Sequence, residues 1–129
     1  MRFHVISLPH TNTTKEFVWC AYTEKVRRFC NMMKSLGHTV YLYAGTKNEA
    51  DVDELITCIS EEDRIEYTLS PDLDAILFNT SNKYWQMFNN KAIVEIAKRI
   101  QQKDFICVIA GNCQKPIKII VIFISYIVY

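Results

Sequence analysis

The first 45 residues alternate between apolar runs of strand length and one amphipathic helix, and this order constrains the fold more than any other feature. Residues 3–8 form a nearly continuous apolar run ended by Pro9, which is typical of a strand buried on both faces. Residues 20–36 carry apolar side chains at helical spacing, Gly37 follows where a helix would end, and residues 39–43 are again strand-like. The pattern predicts strand, helix, strand.

The later chain continues this alternation. Residues 82–101 predict a second long helix, capped by Ser81 or Asn82, and residues 104–110 predict another buried strand. Between them, the acidic residues 49–63 are interpreted as a solvated connecting face, and residues 73–78 fit either a short strand or a helical turn. We therefore predict an α/β fold, a Rossmann-like, open and mostly parallel sheet with flanking helices.

Length and charge exclude several classes of protein. A chain of 129 residues suits one domain of ordinary size. Its 15 basic and 14 acidic side chains give a net charge of +1, which is too balanced for a nucleic-acid binder or a polybasic membrane-surface protein. We expect neither nucleic acid nor membrane as a partner.

Glycine and cysteine usage narrows the chemistry further. The 3 glycines lie far apart, so neither a dinucleotide fingerprint nor a phosphate-binding P-loop can be written. The 5 cysteines are odd in number, have no CxxC spacing and follow no secretory signal, which predicts a cytoplasmic protein with mostly buried thiols. Because the histidines are also scattered, we predict no metal site.

Ligands of open parallel sheets bind beyond the carboxyl ends of the strands, and this rule selects two loops. The first, residues 9–15, is dense in hydrogen-bonding side chains, and the second, residues 111–116, combines a glycine with polar side chains. Both loops also fit an ordinary solvated turn. Trp19, Tyr84, Trp85 and Phe88 have rings that could stack on a sugar. Trp85 and Phe88 lie on the apolar stripe of the second helix and are assigned to the core, and Trp19, which follows the first loop, is the aromatic residue retained as a candidate. The candidate substrate-binding residues are His10, Thr11, Thr14, Lys15, Trp19, Gly111, Asn112 and Gln114.

Several segments together resemble the amino-terminal half of glycosyltransferases of the GT-B fold, in particular a group found in phages and large viruses. The resemblance covers residues 2–117. Its most specific parts are the His-Thr loop joined to the Trp-Cys-Ala-Tyr-Thr segment, and the later Gly-Asn-Cys-Gln-Lys-Pro loop. The matching segments are Leu-Pro-His-Thr at 8–11, Thr-Lys-Glu-Phe at 14–17, Trp-Cys-Ala-Tyr-Thr-Glu-Lys-Val at 19–26, Leu-Gly-His at 36–38 and Gly-Asn-Cys-Gln-Lys-Pro at 111–116.

The resemblance implies a transferase that moves a sugar from a nucleotide-sugar donor to an acceptor, without metal or other cofactor, between two Rossmann-like domains. The amino-terminal domain meets the acceptor, and by position both loops face the cleft. The donor-binding domain is absent, so we expect the chain to be inactive alone, with that domain as a possible separate chain. The alternative is a stand-alone Rossmann-like module that binds a sugar or a protein.

The last 13 residues depart from this pattern. Residues 117–129 contain 6 isoleucines against 10 in the preceding 116 residues. We therefore divide the chain into an acceptor-side domain, residues 1–116, and an aberrant apolar tail, residues 117–129, produced by a frameshift or premature end. One rival is a membrane anchor, for which the run falls short of the roughly 20 residues that a spanning helix needs. Another is a buried final strand, since β-branched residues dominate.

Overall fold

A computed structural model describes residues 1–73, 79, 81–110 and 118–123. Its helices are α1 (Ala21–Ser35), α2 (Glu61–Thr68) and α3 (Lys83–Arg99), and a short 3-10 helix covers Lys15–Phe17. The strands are β1 (Arg2–Ile6), β2 (Thr39–Ala44), β3 (Glu54–Thr57), β4 (Phe105–Ala110) and β5 (Lys118–Phe123).

The strands form one sheet in the order β3-β2-β1-β4-β5. The first four are parallel, with Ile6 opposite Tyr43 on β2 and opposite Val108 on β4. This confirms the predicted Rossmann-like α/β fold, and it makes β1 the central strand. Ile6, Ala44, Thr57 and Ala110 end the parallel strands at one side of the sheet, which we call the carboxyl edge.

β5 pairs antiparallel with β4, from Ala110 opposite Lys118 to Phe105 opposite Phe123. Residues 118–123 of the apolar tail therefore form a strand, and the burial that the third alternative included stays a prediction. The origin of the tail and the boundary at residue 116 stay predictions, and residues 111–117 and 124–129 lie outside the described residues. No helix in the described part of the chain is long and apolar enough to span a bilayer.

The helices cover the two faces of the sheet unequally. α1 packs on one face, where its apolar stripe meets β1, β2 and β4; α2 and α3 pack on the other. Trp85 and Phe88 are buried as predicted, Tyr84 is buried as well, and Trp85 Nε1 donates to Tyr67 Oη at 2.9 Å. The buried thiols of the described residues belong to Cys20, Cys30, Cys58 and Cys107.

Local signals position the helix ends. Gly37 follows α1 with φ of +83°, a conformation that side chains disfavour, and Asn82 caps α3 by accepting from Tyr84 N at 2.9 Å. The acidic stretch 49–63 is more structured than the sequence indicated, because it contains β3 and the beginning of α2. Ser60 caps α2 by accepting from Asp63 N at 3.0 Å. Of the ambiguous residues 73–78, 74–78 lie outside the described residues.

Candidate functional site

The loop after β1 crosses the carboxyl edge, as the sequence predicted, but it is buried. His10, Thr11, Asn12 and Thr13 are all nearly inaccessible to solvent. A segment this rich in polar groups can be buried only if those groups are hydrogen-bonded. We call residues 9–15 the braced loop. Fewer of its side chains reach solvent than its composition indicated.

Three buried polar side chains of the loop tie it to different parts of the chain. Thr11 Oγ1 hydrogen-bonds Thr23 Oγ1 on α1. Thr13 Oγ1 donates to Asn48 Oδ1 at 2.6 Å, and the same two residues form a parallel β-bridge. Asn12 Nδ2 donates to Glu61 Oε2 at 3.1 Å, on the first turn of α2. The loop is thus held by the elements that surround it at this edge.

Gly45, directly after β2, is needed where the chain passes this loop. A Cβ at this position would overlap Asn12 Oδ1 and crowd the Thr11 carbonyl oxygen. Asn12 Oδ1 accepts from Lys47 N at 3.3 Å, so its place is set from two sides. The absence of a side chain at Gly45 allows the loop after β1 to pass close to the end of β2.

His10 is a neutral imidazole at physiological pH. Burial and the positive charge of Arg64 lower its pKa from 6.5 to about 4. Its Nε2 lies 3.6 Å from Cys20 Sγ, and its ring meets the ring of Tyr67 edge-on at a centroid distance of 6.4 Å. A neutral histidine can accept and donate hydrogen bonds but adds no charge to the edge.

Glu61 and Arg64 form an ion pair beside the loop. The Arg64 hydrogen bond is the main reason that the pKa of Glu61 falls to about 2, with Asn12 as a further donor. Thr46 Oγ1 also donates to Glu61, at 3.3 Å, and the Arg64 guanidinium lies 4.9 Å from the Phe17 ring centroid. Neither member of the pair was among the predicted site residues.

Two of the predicted residues are open to solvent at this edge. Lys15 is exposed, while its backbone N donates to Glu49 Oε1 at 2.8 Å. Trp19 is 65% exposed, with its ring centroid 6.0 Å from that of Phe17 and 6.3 Å from that of His10. Thr14 is half-buried, and its Oγ1 is inaccessible without a hydrogen-bond partner among the described residues. An aromatic face and a cation are thus what the described part of the predicted set offers to a ligand.

The second predicted loop follows β4 in the sequence. The strand β4 is the parallel neighbour of β1 in the sheet. Gly111, Asn112 and Gln114 themselves lie outside the described residues, and their roles stay predictions.

A second buried polar cluster, which was not predicted from the sequence, lies toward the amino ends of the parallel strands. His4 Nδ1 hydrogen-bonds Tyr43 Oη at 2.8 Å, and its Nε2 hydrogen-bonds Asp104 Oδ2 at 2.7 Å. Arg2 Nε donates to the same carboxylate at 3.1 Å. We call these four residues the Asp104 cluster. The sequence gives no sign of this cluster, because His4 lies within an apolar run and its hydrogen-bond partners Tyr43 and Asp104 are distant in the chain.

Within the described residues, no group of three or more His, Cys, Asp or Glu side chains is placed to hold a metal ion. Comparison of the chain with known protein families, with curated proteins and with solved structures finds no match. The fold and the geometry of the carboxyl edge are therefore the structural basis for a functional proposal.

Proposed function

We propose that this chain is the acceptor-binding half of a glycosyltransferase, holding a sugar-bearing acceptor at the carboxyl edge of its sheet. The observation that carries the proposal is the exposed Trp19 beside the braced loop. A ring that is 65% exposed, beside a buried histidine and a buried phenylalanine, is an available apolar surface at the edge where such sheets bind ligands.

The chemistry of a sugar suits this arrangement. One face of a pyranose ring carries C–H groups that pack against an aromatic face, while its hydroxyls need donors and acceptors at the rim. Trp19 supplies the face, and Lys15 is an exposed donor on the segment leading to it.

The braced loop would act by positioning rather than by contact. Thr11 is bonded to α1, and Asn12 is bonded to α2, so the segment leading to Trp19 is anchored at two helices. A fixed platform lowers the conformational cost of binding. Nucleotide-sugar binding and transfer would require a second domain, in this polypeptide or in a separate chain.

Tryptophan fluorescence tests the proposal directly, because the chain has 2 tryptophans and only one of them is exposed. We expect one or more members of a mono- and oligosaccharide panel to shift the emission of Trp19 to the blue and to bind saturably by calorimetry. Trp19→Ala should abolish that binding. Val18→Ala is the matched control, because its neighbouring side chain is 59% exposed and lies outside the predicted set.

Two results separate this proposal from its alternatives. Saccharide binding that survives Trp19→Ala unchanged would remove Trp19 from the site. A chain that binds no saccharide but retains a specific protein from a defined mixture would favour the protein-binding module instead. The free energy of unfolding of Trp19→Ala should stay within about 0.5 kcal/mol of the parent, since surface substitutions rarely cost more.

A further inference from the structure

The Arg64 side chain joins α2 to the segment that carries Trp19. Its guanidinium lies over the ring of Phe17, with Cζ 4.9 Å from the ring centroid, and a cation in this place is attracted to the aromatic face. The Phe17 ring is buried and in turn contacts the Trp19 ring, at a centroid distance of 6.0 Å and an interplanar angle of 49°. Arg64 is therefore one ring away from the exposed surface of the proposed site, although the two residues are far apart in the sequence.

The orientation of the Arg64 guanidinium is itself fixed. Its Nε donates to Glu61 Oε2 at 3.1 Å and its Nη2 donates to Glu61 Oε1, which makes the pair bidentate. The Arg64 side chain is 11% exposed and that of Glu61 is 29% exposed. Two parallel hydrogen bonds hold the plane of the guanidinium, and partial burial reduces the screening of the pair by salt. Phe17 thus packs against a cation that is held in place.

Glu61 connects this pair to two loops of the carboxyl edge. Its Oε2 accepts from Asn12 Nδ2 at 3.1 Å and from Thr46 Oγ1 at 3.3 Å. Asn12 belongs to the braced loop, and Thr46 follows β2. The position of Arg64 is therefore set by the segments that follow the first two strands as well as by α2.

Trp19 depends on side-chain contacts because most of its ring is open to solvent. The ring is 65% exposed, whereas the main chain beside it is fixed, since Cys20 N donates to Phe17 O at 3.0 Å. Backbone hydrogen bonds do not set a side-chain rotamer, and an exposed side chain that no neighbour orders changes rotamer within nanoseconds. The contacts of Trp19 with the rings of Phe17 and His10 therefore decide whether it presents one fixed face.

We propose that Arg64 is a positioning residue for Trp19, whose ring it holds in one orientation through Phe17. A second observation brings the same charge near the other flanking ring, since Arg64 contributes to the lowered pKa of His10. The consequence for acceptor binding rests on the proposed function. A ring that keeps one orientation offers a sugar a preformed surface, and this lowers the cost of ordering the site on binding.

The test is ¹⁵N relaxation of the tryptophan indole groups in the full chain. The 2 indole N–H signals are assigned with Trp19→Phe. We expect the order parameter of the Trp19 indole to be about 0.85 in the parent, as in ordered groups, and to fall below about 0.6 in Arg64→Lys. Lysine keeps the positive charge beside Glu61, but it has no planar group to lie on the Phe17 ring.

Arg27→Lys is the matched control. Arg27 forms the same bidentate i,i+3 pair on α1, where its Nε donates to Glu24 Oε2 at 2.9 Å and its Nη2 donates to Oε1 at 2.6 Å. This substitution should leave the order parameter of the Trp19 indole unchanged. Urea midpoints of Arg27→Lys and Arg64→Lys show whether the two variants lose comparable stability.

A second variant tests the connection through Phe17. Phe17→Leu keeps Arg64 with Glu61 but removes the ring between Arg64 and Trp19, so it should mobilise the indole as Arg64→Lys does. The double variant should mobilise the indole no further than either single variant. A measurement on the parent needs no substitution, because NOEs are expected from the Arg64 Hδ protons to the Phe17 ring and from that ring to the Trp19 indole.

The outcomes separate the role of Arg64 from the proposed function. An indole that is already mobile in the parent, or equal order parameters in Arg64→Lys and Arg27→Lys, would overturn the proposal. With a saccharide that binds the parent, Arg64→Lys should weaken binding by about two- to ten-fold, the cost of ordering one side chain on binding. Unchanged affinity would contradict the use of the fixed ring in acceptor binding. If no saccharide binds the parent, the proposed function fails, while the indole relaxation still decides the role of Arg64.

Discussion

The two buried histidines of this sheet, His4 and His10, are held in opposite ways. His4 is bonded to the Asp104 carboxylate and to Tyr43, toward the amino ends of the parallel strands. His10 lies beyond the carboxyl end of the same strand, beside the Cys20 thiol and within the field of Arg64. Burial lowers the pKa of both, but only His4 has a carboxylate that opposes this effect.

We therefore assign a structural role to the region of His4 and treat the region of His10 as the functional candidate. The Asp104 cluster links β1, β2 and the residue before β4, so its charges stabilise the centre of the sheet. The loop around His10 is held by side-chain hydrogen bonds, one of them to the Glu61 carboxylate, and it lies next to exposed groups. Substitutions in the two regions should therefore differ in size and in their dependence on pH.

The largest effect is expected for Asp104→Ala. Removing this buried carboxylate leaves Arg2 and His4 without their shared partner, and breaking a buried ion pair from one side costs about 3–5 kcal/mol. Urea unfolding at pH 7 measures the loss of free energy of unfolding. Asp51→Ala, at an exposed position, is the control and should cost less than about 0.5 kcal/mol. Equal losses in the two variants would contradict the role assigned to the cluster.

The second effect is on pH dependence. A folded-state pKa of about 4 for His10, below the ordinary 6.5, means that the unfolded chain binds the proton more tightly. Its contribution to stability is complete above pH 6.5 and is lost as the pH falls toward 4, by roughly 3 kcal/mol in all. The folded-state pKa of Glu61 is about 2, below its ordinary value of 4.5, so the contribution of Glu61 to stability is lost only below pH 4.5. Measurements above pH 4.5 therefore report the effect of His10 without that of Glu61.

Urea midpoints measured from pH 7 to pH 4.5 check this expectation. His10→Gln should flatten the fall in the free energy of unfolding more than His4→Gln does, because the Asp104 carboxylate moderates the pKa shift of His4. NMR titration of the imidazole signals gives the pKa values directly. A His10 signal that titrates near 6.5 would show that the loop is not buried as described.

The smallest effect concerns the hydroxyl pair Thr11 and Thr23. Thr11→Val or Thr23→Val alone leaves the other buried hydroxyl without this partner, at a cost of about 1–3 kcal/mol. The double variant should cost less than the sum of the two, with a coupling near 1 kcal/mol in a double-mutant cycle. Strict additivity would mean that the two hydroxyls do not stabilise each other.

The sequence predicted the parts of the fold that have strong periodicity. Both long helices, the strands at β1, β2 and β4, the cap at Asn82 and the left-handed Gly37 follow from local patterns, and all are confirmed. β3 and α2 were missed because they have only 4 and 8 residues, too few for a clear period. Their polar residues also resemble a loop.

The position of the loop after β1 at the carboxyl edge was predicted from the sequence, but the burial of that loop was not. Strand ends indicate which edge a loop crosses, whereas the burial of Thr11 or Asn12 depends on partners far along the chain, such as Glu61. The ion pair of Glu61 with Arg64 has a local signal, its i,i+3 spacing, but α2 itself was not recognised. Long-range hydrogen bonds have no such signature in a single sequence.

The central position of β1 has a consequence for the order of assembly. β1, α1 and β2 are close in sequence and can pair early, but the other side of β1 pairs with β4, about a hundred residues later. Closing so long a loop is slow, so contacts of this kind delay folding. During synthesis the edge of β1 that pairs with β4 stays unpaired until residues 105–108 have been made, and an unpaired strand edge is open to incorrect strand pairing.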